Sequence, residues 1–341
     1  MTSGLTGTSS EKRFGKQKTG DRMKKFLIVG SGYIGKVIED EIRKAGHAFT
    51  TFDNNLLGLQ KPGKDEAGNE TIMDDSLNEN GPLSKFTNYD VMINTAAVVG
   101  DPACLVDTRF ALQNNCVGTR NMVEKANRDG KRIIHLSTCS LYGAEKCTEE
   151  NPLKEADHTF PIDFYGQTKF QQERFVTERA KLYTVFRLGT AYGQSPRMRY
   201  DLVIPTFTAK AVNEGKITVF GGDQWRPFIH IRDVARAVIW FSERGIGGIF
   251  NLASENLTIK QLAYLIKESL TETKVEINDM IQDPRNYIVS SDKVRRLNFE
   301  FKYDVKYGIK EMAEAKTIKE YDRAIYHNDK LATLKKMGIK I

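Results

Sequence analysis

The chain has 341 residues, 40% of them apolar, so it is long enough for one large or two ordinary domains with a substantial core. Its net charge of +7 would by itself be compatible with a nucleic-acid partner. However, residues 1–25 hold seven Lys or Arg and only two acidic residues, so five of the seven net charges lie there. Because the remainder is nearly neutral, no nucleic-acid partner is predicted.

The first 22 residues are rich in Gly, Ser, Thr and Lys and are predicted to form a disordered extension. They contain no apolar stretch long enough for a secretory signal, and Met23 is a second plausible start. No apolar run approaches the roughly 20 residues of a membrane-spanning helix, so no membrane association is expected. Four scattered cysteines without C-x-x-C spacing, and five histidines without ligand spacing, predict reduced thiols, a cytoplasmic location and no metal site.

Strand-like and helix-like segments alternate along the chain. The predicted strands are Phe26–Val29, Phe49–Phe52, Val91–Ala96, Ile133–Ser137, Tyr183–Leu188, Ile217–Phe220 and Ile249–Leu252. Helices are predicted from Ile34, around Val117–Asn127, at Tyr165, and in a helix-rich end beyond Thr258. Residues 56–80 are expected to be a loop around a weak strand ending near Asp74, and residues 189–199 a loop. The alternation predicts an α/β fold with a doubly wound parallel sheet.

A glycine-rich turn follows the first predicted strand, in the order Gly30, Gly32 and Gly35. This is the dinucleotide-binding pattern in its required strand-to-helix context. The first glycine allows the tight turn, the second the approach of the pyrophosphate, and the third close packing of helix on strand. Asp53 ends the second strand 23 residues after Gly30, where it is placed to accept hydrogen bonds from the ribose hydroxyls, so NAD is favoured over NADP. The predicted cofactor contacts in these two segments are Gly30, Gly32, Tyr33, Ile34, Gly35, Asp53 and Asn54.

Tyr165 and Lys169 stand four residues apart on a predicted helix, so their side chains lie on the same face. An ammonium about 4 Å from a phenol would lower its pKa by about 3 units at an effective dielectric constant of about 20. Tyr165 is therefore predicted to titrate near neutrality and to act as an acid and base. Y-x-x-x-K alone also fits an ordinary surface pair, and the prediction depends on the glycine-rich turn accompanying it.

With these residues placed, the chain resembles the extended short-chain dehydrogenase/reductase family, and within it the enzymes that modify nucleotide sugars. The resemblance runs from Lys25 to about Tyr307. Besides the turn and the Tyr165 pair, its motifs are Asn94–Ala97, Asn115–Thr119, Ser137–Gly143, Arg187–Gly193, Trp225–Asp233 and Asp283–Tyr287. The resemblance implies a Rossmann fold with a smaller mixed α/β C-terminal substrate-binding domain.

The resemblance also implies roles for individual residues. Thr138 is expected to hydrogen-bond the reacting sugar oxygen, Tyr165 to be the acid and base, and Lys169 to hold the nicotinamide ribose. Further cofactor contacts are implied for Asp74 (or Asp75), Ala96, Ala97 and Asn115. Substrate contacts are implied for Thr138, Ser140, Thr190, Arg226 and Arg285, the two arginines gripping the diphosphate, although a surface salt bridge is the alternative for each.

Several positions depart from the family pattern. Cys139 and Ser140 stand where 4,6-dehydratases have Asp and Glu, and decarboxylating relatives also need that Glu, so both reactions are disfavoured. Enzymes that epimerise carbons 3 and 5 have Cys at the position of Ser140, which disfavours that reaction too, although Cys139 is adjacent. Val29 replaces the usual first glycine, and Thr190 replaces an Asn that often contacts the substrate diphosphate.

The favoured function is an NAD-dependent 4-epimerase of nucleotide sugars that acts through a transient keto-sugar. The alternatives are an NAD(P)H-dependent reductase of nucleotide 4-ketosugars and an NAD-binding protein without catalysis, which the intact Thr138, Tyr165 and Lys169 argue against. The resemblance also implies a homodimer. The predicted units are a disordered extension at 1–22, an NAD-binding domain at 23–195 with 228–253, and a nucleotide-sugar-binding domain at 196–227 with 254–341.

Overall fold

The computed structural model describes residues 22–55, 60–143, 145–270, 272–279 and 285–328. Residues 1–21 of the predicted extension lie outside this part of the chain. The strands are β1 Lys25–Val29, β2 Ala48–Asp53, β3 Gly63–Lys64, β4 Glu70–Met73, β5 Val91–Asn94, β6 Arg132–Thr138, β7 Tyr183–Leu188, β8 Thr190–Tyr192, β9 Lys216–Phe220, β10 Trp225–His230, β11 Gly248–Leu252, β12 Glu255–Thr258 and β13 Lys274–Asn278.

The helices surround the sheets and connect most of the strands. They are α1 Tyr33–Lys44, α2 Pro82–Lys85, α3 Asp101–Val106, α4 Thr108–Leu112, α5 Gly118–Arg128, α6 Phe164–Arg179, α7 Val203–Glu214, α8 Ile231–Arg244, α9 Ile259–Ser269, α10 Asp292–Arg295 and α11 Val305–Ala313. A π-helical turn at Gln113–Val117 joins α4 to α5, and 3₁₀ turns occupy Cys139–Tyr142, Lys316–Glu320 and Ala324–Tyr326.

Eight strands form one sheet in the order β11-β7-β6-β5-β1-β2-β4-β3, parallel throughout except where β3 pairs with β4. The strand order reverses between β1 and β5, which leaves a crevice at the carboxyl ends of these strands. The predicted doubly wound parallel sheet is therefore confirmed. Two smaller sheets, β12-β10-β8 and β13-β9, are formed by strands between residues 190 and 278.

The predicted strands all occur, with small changes of boundary. The strand expected to reach Ala96 ends at Asn94, because the Asn94 side-chain oxygen accepts a hydrogen bond from the Ala96 amide (3.1 Å) and turns the chain out of the sheet. The weak strand before Asp74 is present as β4. The loop expected at 189–199 begins instead with β8, a three-residue strand that pairs with β10.

The largest hydrophobic cluster joins the main sheet to the elements that follow residue 195. Phe26, Ile28 and Phe186 of the sheet belong to the same cluster as Ile204 of α7 and Leu262 of α9, and all five side chains are buried. Helices α1 and α8 pack against each other in this cluster. The continuous core fixes the carboxyl edge of the sheet against α7, β10 and α9, and the cavity between them is the candidate site.

Within the described residues, no helix has the length and apolar character that crossing a membrane requires. The same part of the chain contains no group of three or more His, Cys, Asp or Glu side chains arranged to bind a metal ion.

Candidate active site

A cavity of about 1010 Å³ lies along the carboxyl ends of β1, β2, β5, β6 and β7 and is closed by residues from α7, β10 and the segment around Arg285. Seventeen of the eighteen predicted site residues line it: Gly30, Gly32, Tyr33, Ile34, Gly35, Asp53, Asn54, Asp74, Ala96, Ala97, Thr138, Ser140, Tyr165, Lys169, Thr190, Arg226 and Arg285. The volume is at the upper end of small-molecule sites, which fits a large ligand.

The glycine-rich turn forms one end of the cavity. Gly30 has φ of 98°, and a Cβ there would stand 2.7 Å from the Ala96 amide nitrogen. A Cβ on Gly35 would collide with the Gly30 carbonyl oxygen, whereas a Cβ on Gly32 would meet nothing within 4 Å. Helix α1 begins after Gly32 without a side-chain cap, so its first N–H groups are available to an anion in the cavity. This geometry fits the diphosphate of a dinucleotide.

Asp53 connects the turn to the end of β2. One carboxylate oxygen accepts the Ser31 amide (2.6 Å) and the other accepts the Asn55 amide (2.6 Å), so the side chain is fixed at the cavity wall. Asp74 is fixed similarly by the Leu83 amide (2.7 Å). Both carboxylates therefore have set positions on the side of the cavity predicted to hold the adenosine.

Asn115 is the one predicted cofactor residue that does not line the cavity. Its side chain is fully buried, and its amide pairs with both backbone groups of Val98 and with the Thr168 hydroxyl (2.7–3.0 Å). The predicted direct contact of Asn115 with the cofactor stays a prediction, and the structure shows its side chain bonded to Val98 and Thr168. Asn115 ties the segment after β5 to α6, and its neighbour Asn114 reaches the cavity.

Helix α6 brings Tyr165 and Lys169 to the opposite end. Asp163 caps this helix by accepting the Gly166 amide (2.6 Å), and Asp101 accepts the Phe164 and Tyr165 amides (2.9 and 3.2 Å). These bonds fix the first turn of α6, and with it the position of the phenol.

The predicted effect of Lys169 on Tyr165 is wrong for this structure. The Lys169 ammonium is buried and donates to the Leu136 carbonyl (2.7 Å) and the Gln172 side chain (2.6 Å). Burial raises the pKa of the Tyr165 phenol above its ordinary value, and the cation that opposes this rise is Arg199. Burial also lowers the pKa of Lys169 to about 7. A spacing of four residues put both groups on one face of the helix, but tertiary contacts decided where the ammonium pointed.

Thr138 and Ser140 form a hydroxyl cluster at the end of β6. The Thr138 hydroxyl donates to the Ser140 hydroxyl (3.1 Å), which lies 3.3 Å from the Tyr287 hydroxyl. Cys139 lies between them in sequence but is 1% exposed, and its thiol donates to the Arg187 carbonyl (3.3 Å). Burial raises the pKa of this thiol well above its usual range. Cys139 therefore presents no base to the cavity.

Arg226 and Arg285 lie together at the rim of the cavity. Arg226 donates to the Arg285 carbonyl and its guanidinium lies 5.6 Å from the centroid of the Tyr287 ring. The Arg285 guanidinium lies 3.7 Å from the Asp163 carboxylate. Arg226 is 7% exposed, so it is no surface salt-bridge residue.

The sequence did not point to several polar residues at the site, among them Arg197 and Arg199, which line the cavity, and Gln172, which lies beside Lys169. Arg199 is buried and pairs with Asp201 (2.5 Å), and Gln172 is fully buried beside Lys169. The stretch Ser195–Asp201 alternates polar and apolar residues, and Met198 and Tyr200 are buried. Arginines that alternate with large apolar residues are the sequence signal for Arg197 and Arg199, because a buried charge usually has a partner or a ligand.

Comparison with known proteins identifies the family. The model of the NAD dependent epimerase/dehydratase family matches residues 26–253, two thirds of the chain. The chain belongs to the NAD dependent epimerase/dehydratase family. Its cofactor is accordingly NAD, which agrees with the glycine-rich turn and Asp53, and the predicted family resemblance is confirmed.

Individual relatives differ in their reactions. The chain is 28% identical to a UDP-N-acetyl-alpha-D-glucosaminuronate decarboxylase of Bacillus cytotoxicus, over 86% of this chain and 89% of the relative. It is 25% identical to a putative UDP-glucose 4-epimerase of Methanocaldococcus jannaschii, over 82% and 94%. UDP-glucuronic acid decarboxylase 1 of Danio rerio is 25% identical, and this chain spans 60% of its length. The family reactions open to the chain are thus epimerisation, dehydration and decarboxylation.

Solved structures agree on the fold. A UDP-glucose 4-epimerase of Thermotoga maritima superposes with a TM-score of 0.74 at 24% identity, covering 85% of this chain and 97% of the other. The UDP-glucose 4-epimerase of Thermus thermophilus in complex with NAD gives 0.72 at 19% identity, covering 88% and 99%. At these identities the likeness shows the fold alone.

Proposed function

We propose that the protein is an NAD-dependent nucleotide-sugar epimerase that inverts carbon 4 through a transient 4-keto-sugar. Several relatives are named for UDP-linked sugars, so we infer a UDP-sugar as the substrate. NAD supplies the hydride acceptor when bound. Tyr165 removes the proton of the C4 hydroxyl as the C4–H hydride leaves, and Thr138 hydrogen-bonds the reacting oxygen. The keto-sugar then turns over, hydride returns to its other face, and Tyr165 gives the proton back.

The composition of the hydroxyl cluster carries this proposal. Dehydration removes a proton from carbon 5 and needs a base there, whereas decarboxylation forms the C5 enolate by loss of CO₂ and needs a proton donor to complete it; the positions after Thr138 offer only Ser140 and a buried Cys139. A neutral hydroxyl is a poor base. Hydride return at carbon 4 needs no such group, because Tyr165 handles the only proton that moves.

The described carboxylates nearest Tyr165 in the cavity already have partners. Asp101 accepts two backbone amides of α6, Asp163 caps the same helix and faces Arg285, and Asp201 pairs with Arg199. A carboxylate held by an N–H group or a guanidinium is stabilised in its charged form, which makes it a weaker base. These three carboxylates are therefore poor candidates for the base that removes a proton from carbon 5.

Decarboxylation of a nucleotide-linked uronic acid is the second candidate, because the relative that matches 86% of the chain is a decarboxylase. Such a substrate brings a carboxylate, and the buried Arg199 is a cation close enough to Tyr165 to act on its pKa. Against this candidate, Arg199 is already neutralised by Asp201, and Ser140 replaces the expected Glu.

Reaction in D₂O distinguishes the candidates. The purified protein is incubated with UDP-glucose, UDP-N-acetylglucosamine and UDP-glucuronate, and the products are returned to H₂O and analysed by mass spectrometry and NMR. A 4-epimerase yields the C4 epimer without carbon-bound deuterium, because the hydrogen at carbon 4 travels as hydride. A decarboxylase releases CO₂ and gains one deuterium at carbon 5. Steady consumption of added NADH with a 4-ketosugar would indicate the reductase.

Tyr165→Phe is the matched control, since it removes only the hydroxyl. We expect a loss of activity of at least 100-fold, with NAD still bound. Equal turnover by Tyr165→Phe and wild type would contradict the proposed role of Tyr165, and deuterium at carbon 5 would contradict 4-epimerisation.

A further inference from the structure

The loop that follows β8 is fastened across the first turn of α1. The Ser195 hydroxyl donates to the Tyr33 carbonyl (2.7 Å), and the Tyr33 hydroxyl donates to the Gly193 carbonyl (2.7 Å). Tyr33 and Ser195 are each 4% exposed. Residues 193–199 are therefore held directly over the helix end where the N–H groups are open to an anion.

This loop carries Arg197 into the cavity wall. Its guanidinium donates to the Asn328 side-chain oxygen (3.2 Å), and among the described residues it has no carboxylate within salt-bridge distance. Burial and the neighbouring Arg199 together lower the pKa of Arg197 to about 10, and Asp53 and Asp201 oppose the effect. A cation this deeply placed normally has a counter-ion, because leaving it without one is costly.

Asn328 connects Arg197 to the other side of the cavity. Its side-chain nitrogen donates to the Val99 carbonyl (3.0 Å), in the segment after β5 that also contains Ala96 and Ala97. Asn328 is 8% exposed. Just before it, Tyr326 accepts the Tyr200 amide (2.8 Å), and Ala324 and Ile325 pack in the cluster that contains Tyr165. Residues 316–328, called the strap below, thus pack beside the cavity and bring Asn328 into its wall.

We propose that Arg197, held by Asn328, binds the diphosphate of NAD from the side opposite the glycine-rich turn. The loop that carries Arg197 is fastened to Tyr33 at the amino end of α1, and Arg197 lines the same cavity as the glycine-rich turn and Asp53, so we assign the anion to the cofactor. The arginines proposed for the sugar nucleotide, Arg226 and Arg285, lie on different elements. The strap consequently controls how long NAD is retained, a property that does not depend on which sugar is converted.

Asn328→Asp gives the sharpest test. The substitution keeps the size and the hydrogen bond to Arg197 and supplies a competing carboxylate, but it removes the donor to the Val99 carbonyl. If Arg197 only supported the fold, the new ion pair would leave NAD affinity unchanged. If Arg197 binds the diphosphate, the Kd of NAD for the apoprotein rises at least 10-fold while the apoprotein still melts in one cooperative transition. Calorimetric titration with NAD and a thermal melt provide the two readouts.

Substitutions of Arg197 supply the second arm. We expect Arg197→Gln to raise the Kd of NAD roughly 10- to 100-fold and Arg197→Lys to restore part of the affinity, since a point charge replaces a planar donor. Arg323→Gln is the control, because Arg323 lies on the same strap but is exposed and pairs with Glu320. An unchanged NAD Kd in Arg197→Gln, with a higher KM for the sugar nucleotide, would overturn the proposal, as would an unchanged Kd in Asn328→Asp.

Discussion

Burial governs the charged groups at the reacting end of the cavity. Lys169 is 4% exposed, bonded to one carbonyl and one amide oxygen, and its pKa falls to about 7. Gln172 is held in turn by the Asn115 carbonyl, which its side-chain nitrogen contacts at 2.6 Å. Lys169 is thus oriented by a buried set of polar groups instead of by Tyr165, and its protonation state changes near neutral pH.

The low pKa of Lys169 makes stability depend on pH. The unfolded chain, with an ordinary pKa near 10.4, binds more protons than the folded apoprotein between pH 7 and pH 10, so this group favours folding increasingly as pH rises through that range. We expect the free energy of unfolding of wild type, relative to Lys169→Met, to increase by about 1.4 kcal/mol per pH unit between pH 7.5 and 9.

Urea denaturation of both apoproteins at several pH values measures this difference. Lys181→Met serves as the control, because Lys181 is exposed and its substitution leaves the buried Lys169 in place, so its pH profile should follow that of wild type. Parallel pH profiles for wild type and Lys169→Met would contradict the prediction.

Arg199 is the cation that acts on Tyr165, so it is expected to set the pH dependence of catalysis. Removing its charge raises the pKa of the phenol further, and proton removal from the sugar then requires a higher pH. The double variant Arg199→Gln/Asp201→Asn avoids leaving a buried carboxylate unpaired. We expect the acid limb of its kcat/KM profile to move to higher pH; an unmoved limb with uniformly reduced activity would indicate a structural role.

At the scale of the element, two glycines of the β1-turn-α1 unit are predicted to have different roles: Gly35 is needed for packing and Gly32 for cofactor binding. Gly35 has no room for a Cβ beside the Gly30 carbonyl, whereas Gly32 faces open cavity. We therefore expect Gly35→Ala to destabilise the fold by roughly 1–3 kcal/mol, and Gly32→Ala to leave stability within about 0.5 kcal/mol while weakening NAD binding. Thermal melts and NAD titrations of the two variants check this pair, and similar melts for both would count against the assignment.

A buried ion pair holds helix α6 against the sheet. Glu173 accepts three bonds from Arg187 of β7 and one from the Ser137 hydroxyl (2.6 Å), with all three side chains buried. The pair joins the helix carrying Tyr165 and Lys169 to the two strands behind it. Removing one partner alone would leave an unpaired charge in the core, which typically destabilises a protein by 3–5 kcal/mol.

For the whole molecule, the family resemblance implies a homodimer formed through α6 and the helix at Gly118. Leu112, next to the π-helical turn that leads into α5, is 43% exposed and fits such an interface. We expect Leu112→Glu to shift the protein from dimer to monomer in light scattering coupled to size exclusion. Tyr264→Glu, at 45% exposure on α9, is the matched control and is expected to leave the dimer intact. A monomeric wild type would contradict the predicted homodimer.

The sequence by itself determined the parallel sheet and the glycine-rich turn, and with the family resemblance it named 17 of the residues that line the cavity. Local rules suffice there: apolar runs specify buried strands, and glycine is required at Gly30 because the backbone has φ of 98°. Short strands such as β8 could not be predicted, because three residues become a strand only through pairing with β10.

Only the tertiary structure decided what the side chains of the site contact. The four-residue spacing of Tyr165 and Lys169 was correct, yet the ammonium turned to Leu136 and Gln172, and Asn115 turned away from the cavity. Arg197 and Asn328 stand 131 residues apart, and no local pattern connects them. Hydrogen-bond partners and pKa values depend on burial and on neighbours that are distant in sequence. Both are set only when the whole chain has packed.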